Sequence, residues 1–263
     1  MNESILLERG GSIATLTLNR PDALNTLDLA MMRELVAHTA TIAADRAVRC
    51  VVIRGAGKHF MAGGDLRTFA DQLARPAAER ASWFTRMVQD LHAGIEHLQR
   101  LPAPVIASVH GAVAGFGLSL VGACDLAIAA DTAYFASAYR NIALSPDGGS
   151  TYTLPRLVGM KKAMEILLLA ERFDADEALR LGIVNRVVPA ADLKRATDEL
   201  VQNIASGPAL AIGNIKRLLV QSSSHTLAEQ LRAEALSFGQ CAGSEDFVEG
   251  ITAFLEKRRA RFR

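Results

Sequence analysis

The most informative part of the sequence is a pair of glycine-rich stretches: His59-Phe60-Met61-Ala62-Gly63-Gly64-Asp65-Leu66 and His110-Gly111-Ala112-Val113-Ala114-Gly115-Phe116-Gly117-Leu118. Each follows an apolar run typical of a buried strand, and the second continues into an apolar stretch typical of a buried helix. Small residues let a ligand approach the backbone, and a helix start offers unpaired amides at its positive end. Two such turns, if they converge, can hold one developing oxyanion between two backbone amides.

The composition limits the class of protein. The 29 basic and 28 acidic residues nearly cancel to a formal charge of +1, which argues against a broad nucleic-acid surface. Three widely spaced cysteines form neither a disulfide framework nor a metal pattern, and the histidines show no zinc spacing. No signal-peptide pattern is present, and the apolar region 105–130 carries too many glycines and polar residues for a membrane span. We therefore expect a cytoplasmic protein that binds no nucleic acid, membrane or metal.

Strand-like and helix-like segments alternate through the first part of the chain, which predicts an α/β fold. Strands are predicted at 13–18, 51–53, 105–109 and 126–129, and helices at 28–44, 77–101 and 117–123. After residue 161 the pattern is helical almost throughout, and Gly207-Pro208 separates two further helices. We therefore predict an α/β core over residues 1–195 and a helical C-terminal region over residues 196–263.

The chain resembles the crotonase, or enoyl-CoA hydratase/isomerase, superfamily. Besides the two glycine-rich turns, the resemblance rests on four motifs in family order: Leu16 to Leu27, Cys124 to Ala129, Leu154 to Gly159 and Glu249 to Arg258. It implies a spiral of ββα units, followed by a helical region that makes trimer contacts, and the trimers often pair into hexamers. It also implies an enzyme that acts on an acyl-CoA thioester, with coenzyme A as part of the substrate and no further cofactor.

The resemblance also assigns roles to individual residues. The oxyanion amides would come from Ala62 and from Phe116. Residues matching coenzyme A contacts are Asn25, Leu27, Ala62, Gly63, Gly64, Asp65, Leu66, Gly117, Phe254 and Lys257. The last two lie on the C-terminal helix, which in the family often contacts the coenzyme of a neighbouring subunit.

Departures from the family pattern bear on the reaction. Hydratases of the family use two glutamates to activate water, and the matching positions here are Ser119 and Tyr139. Neither side chain ordinarily ionises near neutral pH. One acid remains, Asp147, in a Ser-Pro-Asp-Gly sequence that is also a good type I turn. In several isomerase branches of the family a single acid at this position does the chemistry.

A single carboxylate suits a proton shift, so the sequence favours an enoyl-CoA isomerase with Asp147 as the base. Three alternatives stay open: a hydratase with an unusual active site, a non-catalytic coenzyme A-binding protein, and a serine hydrolase using Ser119 and His110. The acyl group is not specified, although Trp83, Phe84 and Met87 are candidates for lining its pocket.

Overall fold

The computed structural model describes residues 3–262, and two β-sheets organise it. In chain order the strands are β1 (Ile5–Gly10), β2 (Ile13–Leu18), β3 (Cys50–Gly55), β4 (Val105–Val109), β5 (Ala112–Ala114), β6 (Leu126–Ala130), β7 (Tyr134–Ala136), β8 (Phe173–Asp174) and β9 (Arg186–Val188). The larger sheet has the order β1-β2-β3-β4-β6-β9, and only its β1–β2 pair is antiparallel. The smaller sheet has the order β5-β7-β8. Strand β4 is buried along its whole length, as expected for a parallel strand covered on both faces.

Helices cover the sheets and form the C-terminal region. They are α1 (Leu29–Ala44), α2 (Leu66–Ala70), α3 (Ala77–Arg100), α4 (Phe116–Ala123), α5 (Ser150–Val158), α6 (Met160–Leu169), α7 (Ala175–Arg180), α8 (Leu193–Ala205), α9 (Ala209–Ser222), α10 (Leu227–Ala242) and α11 (Glu245–Leu255). Several begin at a polar cap: the Asp28 carboxylate accepts the Met31 amide at the start of α1. Within residues 3–262, no helix combines the length and apolar character needed to cross a membrane.

Repeated ββα units generate the spiral. Strands β4 and β5 precede α4, and β6 and β7 precede α5. Each pair places one strand in the larger sheet and one in the smaller, so β4 runs beside β6 and β5 beside β7. An earlier unit is formed by β3 and an isolated bridge between Met61 and Val113. The predicted α/β spiral with a helical C-terminal region is therefore confirmed.

Helix α8 extends the core beyond the predicted domain boundary. Its residues Val201 and Ala205 form a buried cluster with Cys50, Val52 and Ile106 on the larger sheet. A division between residues 195 and 196 would cut this helix in two. The chain leaves the sheet only after residue 205, because the apolar face of α8 is buried against three strands rather than against its helical neighbours.

An ion pair made by a buried lysine joins the C-terminal region to the core. Lys216 of α9 is 8% exposed, and its Nζ lies 2.6 Å from Oδ2 of Asp125. The same ammonium donates to the carbonyl oxygens of Leu98 and Ala103 at 3.0 and 3.3 Å. Burial raises the pKa of Asp125, and the attraction of Lys216 opposes this rise.

Candidate active site

The two glycine-rich turns meet as predicted. The Met61 amide donates to the Ala112 carbonyl at 3.0 Å, and the Ala114 amide donates to the Met61 carbonyl at 2.9 Å. Gly117 permits this close approach, because a Cβ at that position would lie 2.5 Å from the Met61 carbonyl oxygen. Gly117 therefore serves packing between the turns, and it is absent from the cavity wall described below.

The amide predicted for the first turn needs correction. The Ala62 amide donates to the Leu24 carbonyl oxygen at 3.1 Å, so it is not free to bind a ligand. The Gly64 amide, in contrast, has no acceptor within the described residues. The Leu27 amide donates to the Gly63 carbonyl oxygen, and the Asp65 amide donates to the Leu27 carbonyl oxygen. In this parallel bridge the Gly64 amide points away from Leu27. The motif located the turn, but the donor depends on backbone dihedrals that the motif does not reveal.

The second unpaired amide belongs to Phe116, as predicted. Phe116 is the first residue of α4, where amides have no partner inside the helix. Over residues 3–262 no other acceptor reaches it. Gly115 before it has φ 51° and ψ −121°, a conformation that side chains disfavour. A Cβ on Gly63 would lie 3.8 Å from the Phe116 nitrogen, so the two turns lie against each other here, and Gly64 and Phe116 line the same cavity.

A cavity of about 580 Å³ opens over these amides. Its walls come from both glycine-rich turns, helix α3 and the segment 138–147. Among the lining residues are Leu27, Ala62, Gly63, Gly64, Leu66, Phe69, Phe84, Met87, Leu91, His92, Phe116, Tyr139, Ile142 and Asp147. Phe84 and Met87 thus line the cavity, whereas Trp83 contacts the edge of Phe84 from outside it.

Asp147 faces the same cavity and is held by its neighbours. The Tyr139 hydroxyl donates to Oδ1 of Asp147 at 2.5 Å. The hydroxyls of Ser119 and Ser150 donate to the Asp147 carbonyl oxygen at 2.9 and 3.1 Å. Oδ2 has no hydrogen bond to any residue in the described range. One carboxylate oxygen is thus anchored while the other is free to exchange a proton.

Burial dominates the electrostatics of this carboxyl group. It raises the pKa of Asp147 above the ordinary value, although the hydrogen bond from the Tyr139 hydroxyl lowers it. Burial and the charge of Asp147 also raise the pKa of Tyr139, so the phenol keeps its proton and remains a donor. A carboxyl group with a raised pKa is a stronger base once ionised, which suits proton abstraction.

The geometry opposes a nucleophilic role for Ser119. Its side chain is fully buried and does not line the cavity. Its hydroxyl proton is directed at the Asp147 carbonyl oxygen, which cannot remove it. His110, the other proposed member, has its Nε2 3.0 Å from the Gly57 carbonyl oxygen and lies outside this cavity. The serine hydrolase hypothesis is therefore rejected.

Sequence reasoning missed His92. Its Nε2 accepts the Gly148 amide at 3.2 Å, next to Asp147 in the chain, and its ring lines the cavity. Because 56 positions separate His92 from Gly148, no local pattern connects them. The one signal available in the sequence was the position of His92 on a helical wheel of α3, on the face that lines the cavity.

The residues predicted to bind coenzyme A separate into two groups. Leu27, Ala62, Gly63, Gly64 and Leu66 line the cavity. Asn25 and Asp65 do not line it, and their side chains instead hold the loops that carry the other residues.

Asn25 is fully buried, and its amide donates to the carbonyl oxygens of Ala56 and His59. The Asp65 carboxylate caps α2 and lies 2.8 Å from the Arg20 guanidinium. Burial alone would raise the pKa of Asp65, but its hydrogen bonds outweigh burial and lower it. The Asn25 and Asp65 side chains therefore already have partners within the protein, and coenzyme A binding by these two residues stays a prediction.

Phe254 and Lys257 lie at the end of α11, and neither lines the cavity of its own chain. Phe254 is 81% exposed. A contact with coenzyme A through these residues would have to be made in another subunit's site. Within residues 3–262, no group of three or more His, Cys, Asp or Glu side chains is arranged to hold a metal ion.

Known proteins share this fold and this sequence pattern. A family model described as enoyl-CoA hydratase/isomerase matches residues 8–263. The chain belongs to this family and is one of its enzymes. A 1,2-epoxyphenylacetyl-CoA isomerase of Escherichia coli is 35% identical over 263 residues, covering 100% of this chain and 99% of the relative.

Two further relatives carry a different name. A crotonyl-CoA hydratase of Syntrophomonas wolfei is 35% identical over 261 residues, covering 99% of this chain and 98% of the relative. The crystal structure of an enoyl-CoA hydratase from Polaromonas sp. JS666 has a TM-score of 0.91 at 33% identity, covering 98% of this chain and 99% of that one. Overall identity therefore establishes the family but does not distinguish isomerase from hydratase.

Proposed function

We propose that this family member is an enoyl-CoA isomerase, which converts a 3-enoyl-CoA or a related unsaturated acyl-CoA into its conjugated isomer. One observation carries the proposal: a single carboxylate, Asp147, faces a cavity that also contains two unpaired backbone amides, of Gly64 and Phe116. The positions matching the family's glutamates hold Ser119 and Tyr139, and both hydroxyls donate to Asp147.

The chemistry follows from these groups. The thioester carbonyl makes the hydrogens on C2 acidic, and the free Oδ2 of Asp147 takes one of them. The resulting enolate oxygen accepts hydrogen bonds from the Gly64 and Phe116 amides. Asp147, now protonated, returns the proton at C4 and is regenerated as a carboxylate. The double bond moves into conjugation, and no water is consumed.

Coenzyme A would be held by the loop around Leu27 and the turn Gly63 to Leu66, as part of the substrate and without another cofactor. Phe254 and Lys257 would act on the coenzyme from a neighbouring subunit of a homotrimer or hexamer. The exposed apolar side chains of α9 to α11 support such an assembly; among them are Leu219, Leu227, Leu236, Phe238, Val248 and Phe254.

Hydration is the second candidate, because the crotonyl-CoA hydratase of Syntrophomonas wolfei is as similar as the named isomerase. A hydratase must remove a proton from water and also protonate the substrate carbon. Here the proton of Tyr139 is committed to Asp147, and Ser119 lies outside the cavity wall. We therefore expect slow hydration of crotonyl-CoA by the wild-type protein.

The deciding experiment measures both reactions in wild-type protein and in Asp147→Asn. Asparagine keeps the size and turn preference of aspartate but cannot take a proton. We expect isomerisation to fall by roughly 100-fold or more, with unchanged affinity for acetyl-CoA. Ser119→Ala is the control and should lose far less. Fast hydration with weak isomerisation, or a fully active Asp147→Asn enzyme, would contradict the proposal.

A further inference from the structure

Helix α3 links the cavity wall to the turn that carries Asp147. Met87 and Leu91 contribute apolar side chains to the wall, and His92 follows on the same helix. Of the residues on α3, His92 is the one whose side chain is hydrogen-bonded to the turn in the described structure. Tyr139, which holds the carboxylate, lies on the short helical segment preceding that turn.

The hydrogen bond fixes the chemical form of His92. Its Nε2 accepts the Gly148 amide hydrogen, so this nitrogen carries no proton. The ring is then the neutral tautomer with its proton on Nδ1. If His92 were an imidazolium, its Nε2–H would face the N–H of Gly148, and the hydrogen bond between them would be lost.

Gly148 has little freedom to move in other directions. Its φ is +60°, and a Cβ there would lie 2.8 Å from both a Phe116 ring carbon and the Ser119 Cβ. The turn is thus packed against α4 on one side and held by His92 on the other. Loss of the His92 acceptor would leave the amide of the buried Gly148 unsatisfied and would release the turn on that side.

We propose that His92 is a positioning residue for the reaction: by accepting the Gly148 amide, it orients the Asp147 carboxylate toward the substrate carbons. This inference rests on the proposed isomerase function. A displacement of about 1 Å at a reacting group can cost roughly 100-fold in rate. The role therefore predicts an effect on turnover rather than on substrate binding.

The test compares three substitutions at His92 with one control. Glutamine places an amide oxygen near the position of Nε2, whereas asparagine reaches only the position of Nδ1, and leucine offers no acceptor. We expect kcat to fall roughly 10- to 100-fold in His92→Leu and His92→Asn, with KM changed less than about twofold. His92→Gln should recover kcat to within about threefold of wild type.

His97→Leu is the matched control. His97 lies on the same helix, has Nδ1 3.1 Å from the Thr39 hydroxyl and does not line the cavity. Its substitution should leave kcat and KM unchanged. Equal kcat values for the leucine and glutamine variants at position 92, or a change confined to KM, would overturn the proposal.

A second measurement does not require turnover. In protein labelled with ¹⁵N-histidine, the His92 signal, identified by its absence from His92→Gln, should show an unprotonated Nε2. A protonated Nε2 would overturn the proposal. Absence of isomerisation by the wild-type protein would instead refute the proposed function, and with it the role of His92 in that reaction.

Discussion

Removal of the Tyr139 hydroxyl should change the pH dependence of the enzyme. This hydroxyl donates to Oδ1 of Asp147 at 2.5 Å and lowers the pKa of that carboxyl group, whereas burial raises it. Tyr139→Phe leaves the ring in place and removes the donor. Burial then acts with less opposition, so the pKa of Asp147 rises further and a larger share of the enzyme holds a protonated, inactive base.

The size of the effect follows from the strength of the bond. A hydrogen bond to a charged group is worth about 1.5–3 kcal/mol. Since each 1.4 kcal/mol is a factor of ten, the proton affinity of Asp147 should increase roughly 10- to 150-fold. The acidic limb of the kcat/KM profile should therefore move to higher pH. At the alkaline plateau, where the carboxylate is ionised in both proteins, the rates should converge.

The assay follows isomerisation of a 3-enoyl-CoA through the ultraviolet absorbance of the conjugated product, across the acidic limb. Tyr152→Phe is the control, because Tyr152 is exposed and its hydroxyl contacts Ser223 rather than Asp147. A Tyr139→Phe profile that superimposes on wild type would refute the reasoning. A uniform loss at every pH, with the acidic limb unmoved, would do so as well, because it would show that the hydroxyl orients the carboxylate without lowering its pKa.

Three further predictions concern other parts of the molecule. Asp147→Asn should increase the free energy of unfolding at neutral pH. Because the pKa of Asp147 is raised in the folded state, ionisation of this carboxyl group lowers the stability of the fold as the pH rises. Asparagine does not ionise, so the variant avoids that loss. Urea titrations should show the gain shrinking as pH approaches the ordinary carboxyl range. Phe116→Pro should cost about 100-fold or more in kcat relative to Phe116→Ala, because proline is tolerated at the first residue of α4 but lacks the amide proton; equal rates would exclude this amide from the oxyanion site. Lys216→Met should destabilise the fold by about 1–3 kcal/mol in urea denaturation, because the Leu98 and Ala103 carbonyl oxygens lose a buried donor and Asp125 loses its partner, and adding Asp125→Asn should recover part of the loss.

Periodicity along the chain was sufficient to predict an α/β core with a helical C-terminal region. The spiral of ββα units and the choice of Asp147 as the remaining acid came from the resemblance to the family. The secondary structure depends on local rules. Apolar periodicity specifies strands and helices, and glycine at positions such as Gly115 permits backbone conformations that other residues disfavour. The absence of two glutamates at Ser119 and Tyr139 was equally visible in the linear order of the motifs.

How these residues act together follows from the tertiary structure. It gave the first-turn amide to Gly64 rather than Ala62, because Leu24 already accepts the Ala62 amide. It joined Tyr139 to Asp147 and brought His92 to the same turn. It kept α8 in the core, although its helical pattern resembles that of the helices after it. Such contacts depend on the path of the chain between distant residues, and local sequence carries no signal of the hydrogen bonds that form where those paths meet.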